Sequence, residues 1–94
     1  MANPDALYSS GDFEAYTTLA ALEAAFASGA RKGQLTRRIV CMSGGTLKLR
    51  PAASTTTIDW VFDAGVPEDI QAGGFTATGS TVAPSAALPI KVYY

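Results

Sequence analysis

Apolar positions along the 94-residue chain change period once. Between residues 17 and 28, Leu19, Leu22 and Phe26 recur at i, i+3 and i+7, which is one face of a helix. Thr17 or Thr18 can cap its start, and an Ala-rich body favours helix. Gly29 stands at its C′ position, followed by the cations Arg31 and Lys32. The stripe is narrow and mostly Ala, so this helix is expected to lie on a surface and not to organise a core alone. From residue 36 onward the period is two. Residues 39–42 form a short apolar run, and 43–45 read as a tight turn. Leu47 and Leu49 then alternate with Lys48 and Arg50 until Pro51. In residues 56–63, Ile58, Trp60 and Phe62 point one way, with Asp59, Val61 and Asp63 opposite. Residues 75–78 and 88–94 complete five strands separated by Gly/Pro turns. The pattern predicts a mainly β chain: a small antiparallel β-sandwich or barrel with an N-terminal extended arm and one short helix. The expected division is arm 1–16, helix 17–30 and β domain 31–94. Trp60 is expected at the centre of the core.

Residues 1–16 carry no period. They hold Pro4 and Gly11 between Leu7, Tyr8, Phe13 and Tyr16. Disordered tails are poor in aromatics, so this arm is expected to dock, either on its own domain or on a neighbour. We assign Tyr8, Phe13 and Tyr16 to grooves of an adjacent subunit, ordered only in an assembly. At the other end, alternation sends one ring of the Tyr93–Tyr94 pair inward and the other outward, which makes Tyr93 a further candidate for partner contact.

Composition narrows the chemistry. Of the hydrophobic residues, 17 are Ala, while Leu, Ile, Val and Phe together number 20. The core is therefore expected to be thin and supported by partners. There is no His, which removes imidazole as base or ligand. Cys41 is the single cysteine and reads as a small buried hydrophobe. Asp59 and Asp63 are roughly 13 Å apart along a strand, too far for a glycosidase carboxylate pair. No phosphate loop, nucleophile elbow or calcium loop is present in the sequence. We expect no enzyme activity, no cofactor, no metal site and no small-molecule substrate. No apolar stretch approaches the length of a membrane span, and residues 1–5 lack the basic and apolar regions of a secretory signal. Synthesis in a cytoplasm without membrane association is the expectation.

Charge is segregated although the net charge is −1. Residues 1–30 carry four acids and no base, residues 31–50 six bases and no acid, and residues 51–94 four acids and Lys91. Such blocks can pair segments within a chain or between neighbours. Arg31, Lys32, Arg37 and Arg38 are accordingly candidates for contact with an acidic partner. They could also meet phosphates, but the net charge is negative and no aromatic lies between Phe26 and Trp60, which disfavours nucleic acid.

The order of segments in residues 36–94 carries a resemblance. Thr36-Arg37-Arg38-Ile39-Val40 leads to Gly44-Gly45-Thr46-Leu47-Lys48-Leu49. Residues 58–62 follow, then Ala64-Gly65-Val66-Pro67, then residues 75–82 (Phe-Thr-Ala-Thr-Gly-Ser-Thr-Val) and the apolar end at 90–94. This resembles the small β-rich virion proteins of tailed bacteriophages and gene transfer agents, of the capsid decoration or spike-base type. Ala72-Gly73-Gly74 departs from the basic, apolar lead of that family, and residues 82–89 insert extra length before the last strand. The resemblance implies a structural virion protein that binds other virion proteins such as the major capsid protein and forms homo-oligomers. A tail or head–tail connector protein is the alternative position. A small nucleic-acid-binding or regulatory domain using residues 31–50 is the alternative of another class.

Overall fold

The computed structural model describes residues 13–52 and 54–94. Its elements, in chain order, are β1 (Phe13–Tyr16), α1 (Leu19–Ala27), β2 (Arg38–Cys41), β3 (Gly45–Pro51), β4 (Ile58–Phe62), β5 (Pro67–Glu68), β6 (Ala72–Thr76) and β7 (Ile90–Tyr93). Leu47 and Leu49 on β3 are fully buried, while Lys48 and Arg50 between and after them are not, as the alternation requires. The strands form two antiparallel sheets, β1-β7-β2-β5 and β4-β3-β6. The mainly β fold with one short helix is thus as the sequence predicts.

Both sheets share one core. Ile39 and Cys41 of β2 and Ile90 and Val92 of β7 cluster with Leu47 and Leu49 of β3, Phe62 of β4 and Phe75 of β6. The helix begins where expected, with Thr18 as N-cap accepting from the Ala21 amide at 3.1 Å. Its predicted face is the buried one. Leu22 and Phe26 join the core, and Leu19 packs at its margin. Because α1 rests on β6 and also touches β1, it spans the side of the two sheets where those edge strands lie. Phe26 meets Phe75 edge-on at a centroid distance of 5.0 Å. The helix thus lies against the sheets and adds its apolar face to a core made mostly by strand residues. Two large side chains on a short helix suffice when large apolar residues are scarce.

The turn over 43–45 does not make a hairpin. It carries the chain from one sheet to the other, because β2 and β3 belong to different sheets. Gly44 (φ +70°) and Gly45 (φ +120°) permit this passage. A Cβ on Gly45 would lie 3.0 Å from the Val82 backbone nitrogen. A second tie joins the chain entering β2 to the start of β6. Thr36, buried among apolar neighbours, donates its hydroxyl to the Ile70 carbonyl at 2.7 Å and accepts from the Ala72 amide at 2.9 Å.

Three sequence readings need correction. Two strands were not foreseen: β1, in the arm, and β5, in a turn. The local pattern of β1 is not distinctive, and its pairing with β7 (Phe13 opposite Tyr93 through Tyr16 opposite Ile90) makes it a strand. In β5, Pro67 sits on a sheet edge, where its missing amide costs nothing to the ladder. Strand β6 starts at Ala72 and takes in Gly73 and Gly74. A Cβ on Gly73 would meet Arg50 Nη2 at 2.8 Å, so the absent side chain makes room for that guanidinium. Finally, Trp60 is only partly buried and packs against the core from outside it. Strand β4 is an edge strand, so its inward-pointing residues lack a neighbour on one side. Ile58 is exposed for the same reason, and Phe62 is the residue of this strand in the core.

Denaturant melts test this arrangement. Phe62→Ala is expected to cost about 3–5 kcal/mol, with Trp60→Ala costing clearly less and Asp63→Ala no more than about 0.5 kcal/mol. Equal losses for Phe62→Ala and Trp60→Ala would contradict the edge position of Trp60. In the same assay Thr36→Val leaves a buried amide and carbonyl unpaired and is expected to cost about 1–3 kcal/mol. Thr36→Ser keeps the hydroxyl and is expected to retain most of that.

Candidate functional site

The polar groups of the first sheet fall into two clusters, one at each face. On the inner side, alternation along β1 turns Glu14 and Tyr16 toward the helix and the C-terminus. Glu14 Oε1 accepts from Arg31 Nε at 2.7 Å, from the Tyr16 hydroxyl at 3.0 Å and from the Tyr94 hydroxyl at 3.0 Å. The two hydroxyls are themselves 3.0 Å apart. The Arg31 guanidinium lies 3.8 Å over the Tyr94 ring, and Tyr94 stacks on Phe26 with centroids 6.1 Å apart. Arg31 also donates to Gln34 Oε1 at 2.7 Å. The arm, the segment after the helix and the C-terminus are thus tied at one carboxylate.

The electrostatics follow from that geometry. The Arg31 guanidinium holds the Glu14 carboxyl below its ordinary range, against a smaller opposing push from burial and with help from the two tyrosine hydroxyls. Burial raises the Tyr16 hydroxyl, and burial followed by hydrogen bonding to Tyr16 and Glu14 raises that of Tyr94. The bond to Glu14 raises Arg31 in turn. Burial also pushes the Cys41 thiol up to about 12, which makes it inert as a nucleophile at neutral pH.

The outer cluster sits where β2, β7 and β1 run side by side. Arg38 is opposite Tyr93, and Tyr93 is opposite Phe13. The Phe13 and Tyr93 rings stack at 5.1 Å with a 26° tilt. Arg38 Nε binds Asp69 Oδ1 at 2.6 Å, and this bond lowers the Asp69 carboxyl, with Arg37 adding attraction. Among the described residues, Arg37, Arg38, Asp69 and Tyr93 line a cleft of about 300 Å³. A second cleft of about 200 Å³ runs between α1 and β6 beside Glu23, Phe26 and Phe75. There Arg50 donates to the Gly73 carbonyl at 2.8 Å and to the Ser54 carbonyl at 3.2 Å.

The structure brings together several of the residues singled out from sequence. Arg37, Arg38 and Tyr93 share one cleft, with Phe13 stacked at its rim. Arg31 and Tyr16 belong to the inner cluster instead. Lys32 is exposed in the turns after the helix. Tyr8 lies outside the described residues. The placing of Phe13 and Tyr16 in a neighbouring subunit is corrected: both engage residues of their own chain, because β1 pairs with β7 and delivers them there. Glu14, Asp69 and Tyr94 were missed. The one sequence signal for them was the charge segregation, since each ion pair joins the basic block to an acidic flank: Arg31 to Glu14, Arg38 to Asp69, and Lys48 to Asp59.

The depressed carboxyl of Glu14 has a pH signature. A folded-state value below the unfolded one gives stability that is present above the unfolded value, near 4.5, and is lost as pH falls through the folded value. Glu14→Gln is expected to flatten the loss of stability between neutral pH and the acid side of that range. The amount is no more than about 1 kcal/mol, because the carboxylate is partly exposed. Melting temperatures of both proteins measured across that range check this, and identical pH profiles would contradict it.

Comparison with protein-family models, with curated proteins and with solved structures finds no match for this chain.

Proposed function

We propose that this chain is a structural subunit of a bacteriophage virion, a capsid-attached decoration or spike-base protein that binds other virion proteins and copies of itself. The observation that carries this reading is the order of segments in residues 36–94 that resembles that family. Those segments overlap β2, β3, β4 and β7 of the two-sheet domain, and the segment 75–82 shares Phe75 and Thr76 with β6. A tail or head–tail connector position is the second location compatible with the same argument. In either place the chain has no catalytic step and takes no cofactor.

Two further features support an assembly role. Large apolar side chains remain on the surface, namely Val61 at 70% exposure, with Leu88, Leu35, Val66 and Ile58. Val61 and Ile58 lie on β4, an edge strand whose free side can add a strand from elsewhere. The alternative of nucleic-acid binding by residues 31–50 is disfavoured by what those bases already do. Arg31, Arg38 and Lys48 are ion-paired within the chain, and Arg50 is spent on backbone carbonyls. Phosphate contacts would have to displace these partners.

The test is composition of the particle. Virions purified from the source are expected to contain the chain in fixed stoichiometry with the major capsid protein, and antibody against it is expected to label one structural position. Its absence from purified particles would overturn the proposal. Salt-sensitive binding of the purified chain to duplex DNA at physiological ionic strength would favour the alternative.

A further inference from the structure

Strand β4 forms one edge of its sheet, with β3 as its neighbour there. The main chain of β3 shows which groups of β4 are left over. The Thr46 carbonyl accepts from the Thr81 amide at 2.8 Å and from the Val82 amide at 3.2 Å. The Thr46 amide donates to Thr81 Oγ1 at 2.8 Å, and the Lys48 amide donates to Ser80 Oγ at 2.9 Å. Thr46 and Lys48 therefore present their main chain to the β6 side of the sheet. Main-chain direction alternates along a strand, so Gly45, Leu47 and Leu49 face β4 and bond to Phe62, Trp60 and Ile58 opposite them. The amides and carbonyls of Asp59 and Val61 then point out of the sheet edge. Among the described residues, no turn or loop backbone caps them.

The usual protections of such an edge are missing. Strand β4 carries no Pro, Lys or Arg, and its one charge, Asp59, is bound by Lys48 at 2.7 Å. The residue order also selects what can pair there. Two antiparallel copies of one strand meet about a single residue. Centring on Asp59 sets it against the partner's Asp59. Centring on Val61 sets Asp59 against the partner's Asp63. Like charges directly opposite destabilise a sheet. Centring on Ile58 or Phe62 leaves most of β4 unpaired. Centring on Trp60, the middle residue, pairs the whole strand: Asp59 faces the partner's Val61, Ile58 the partner's Phe62, and Trp60 the partner's Trp60. No like charges then oppose each other, and the exposed Ile58 and part-buried Trp60 gain cover.

We propose that β4 binds a second copy of this chain, the two strands running antiparallel about Trp60 and joining their three-stranded sheets into one. Asp59 and the partner's Val61 exchange amide-to-carbonyl bonds, as do Val61 and the partner's Asp59. The two Trp60 side chains meet at the position without main-chain bonds, where side chains approach closest, and an aromatic pair across strands is stabilising. The surface is its own complement, as a two-fold dimer requires. This pairing deepens the proposed function and rests on one part of it, the binding of copies of itself. Particle composition and association in solution are separate measurements, so the failure of one is distinguishable from the failure of the other.

Sedimentation of the full chain over a range of concentrations is expected to show a monomer that becomes a dimer as concentration rises. Val61→Pro removes an amide that faces the edge and leaves the ladder to β3 intact, so it is expected to raise the midpoint concentration at least about tenfold. Val61→Asp, set against the partner's Asp59, is expected to do the same. Val61→Lys, in the same place, is expected to keep or tighten the dimer. Mild oxidation reads the register. In Trp60→Cys the paired Cα atoms are about 4.5 Å apart, within disulfide reach, and a covalent dimer is expected. In Val61→Cys they are roughly 8 Å apart, and none is expected. The buried Cys41 takes no part. A chain that stays monomeric throughout would overturn the proposal. So would a dimer that responds alike to Val61→Asp and Val61→Lys, or one cross-linked by Val61→Cys and not by Trp60→Cys, since the contact would then lie elsewhere or in another register.

Discussion

Leu47 and Leu49 on β3 lie in one cluster with side chains from both sheets and from the helix, and this shared burial is the constraint on which the fold depends. The chain has 20 Leu, Ile, Val and Phe residues among 94, too few for each sheet to have a core of its own. One thin core must serve both. That explains why β3 is central in its sheet, why two short sheets suffice, and why α1 contributes Leu22 and Phe26 despite its Ala-rich surface. It also explains why edge strand β4 leaves Trp60 only partly covered.

Around that core, charge works as a fastener between distant segments. The basic middle block lies between acidic flanks, and each ion pair crosses a block boundary. Exposed pairs of this kind contribute little individually to stability. Their value lies in register. Glu14 collects Arg31, Tyr16 and Tyr94 at one oxygen, which fixes the edge strand β1 against the end of the chain. On the opposite face, Arg38 and Asp69 bracket the cleft that opens beside Phe13. Thr36 ties the chain entering β2, in one sheet, to the start of β6, in the other, with both polar functions of one small side chain satisfied.

These fasteners bear on function because they decide which bases remain available to a partner. Arg31, Arg38 and Lys48 balance acids of their own chain, so the basic block is far less basic in the folded protein than it reads in sequence. What the surface presents instead is a mixed cleft and an open strand edge carrying Val61.

The sequence by itself determined the elements whose signal is local. Leu47 and Leu49 alternate with charged residues because a strand has a period of two, and Thr18 caps α1 because its hydroxyl reaches the Ala21 amide three residues on. The mainly β class and the burial of Cys41 were legible for the same reason. Only the tertiary structure decided which strands share a sheet, since alternation gives a strand two faces but no neighbours. It made β1 a strand through β7, allowed Pro67 into β5 by placing it at an edge, and drew Gly73 into β6 beside Arg50. It also decided the site. Arg37 and Arg38 could be named from the chain, but Asp69 lies 31 residues from Arg38 and Tyr94 80 residues from Glu14. Pairings at that separation follow from sheet register, which no local pattern encodes.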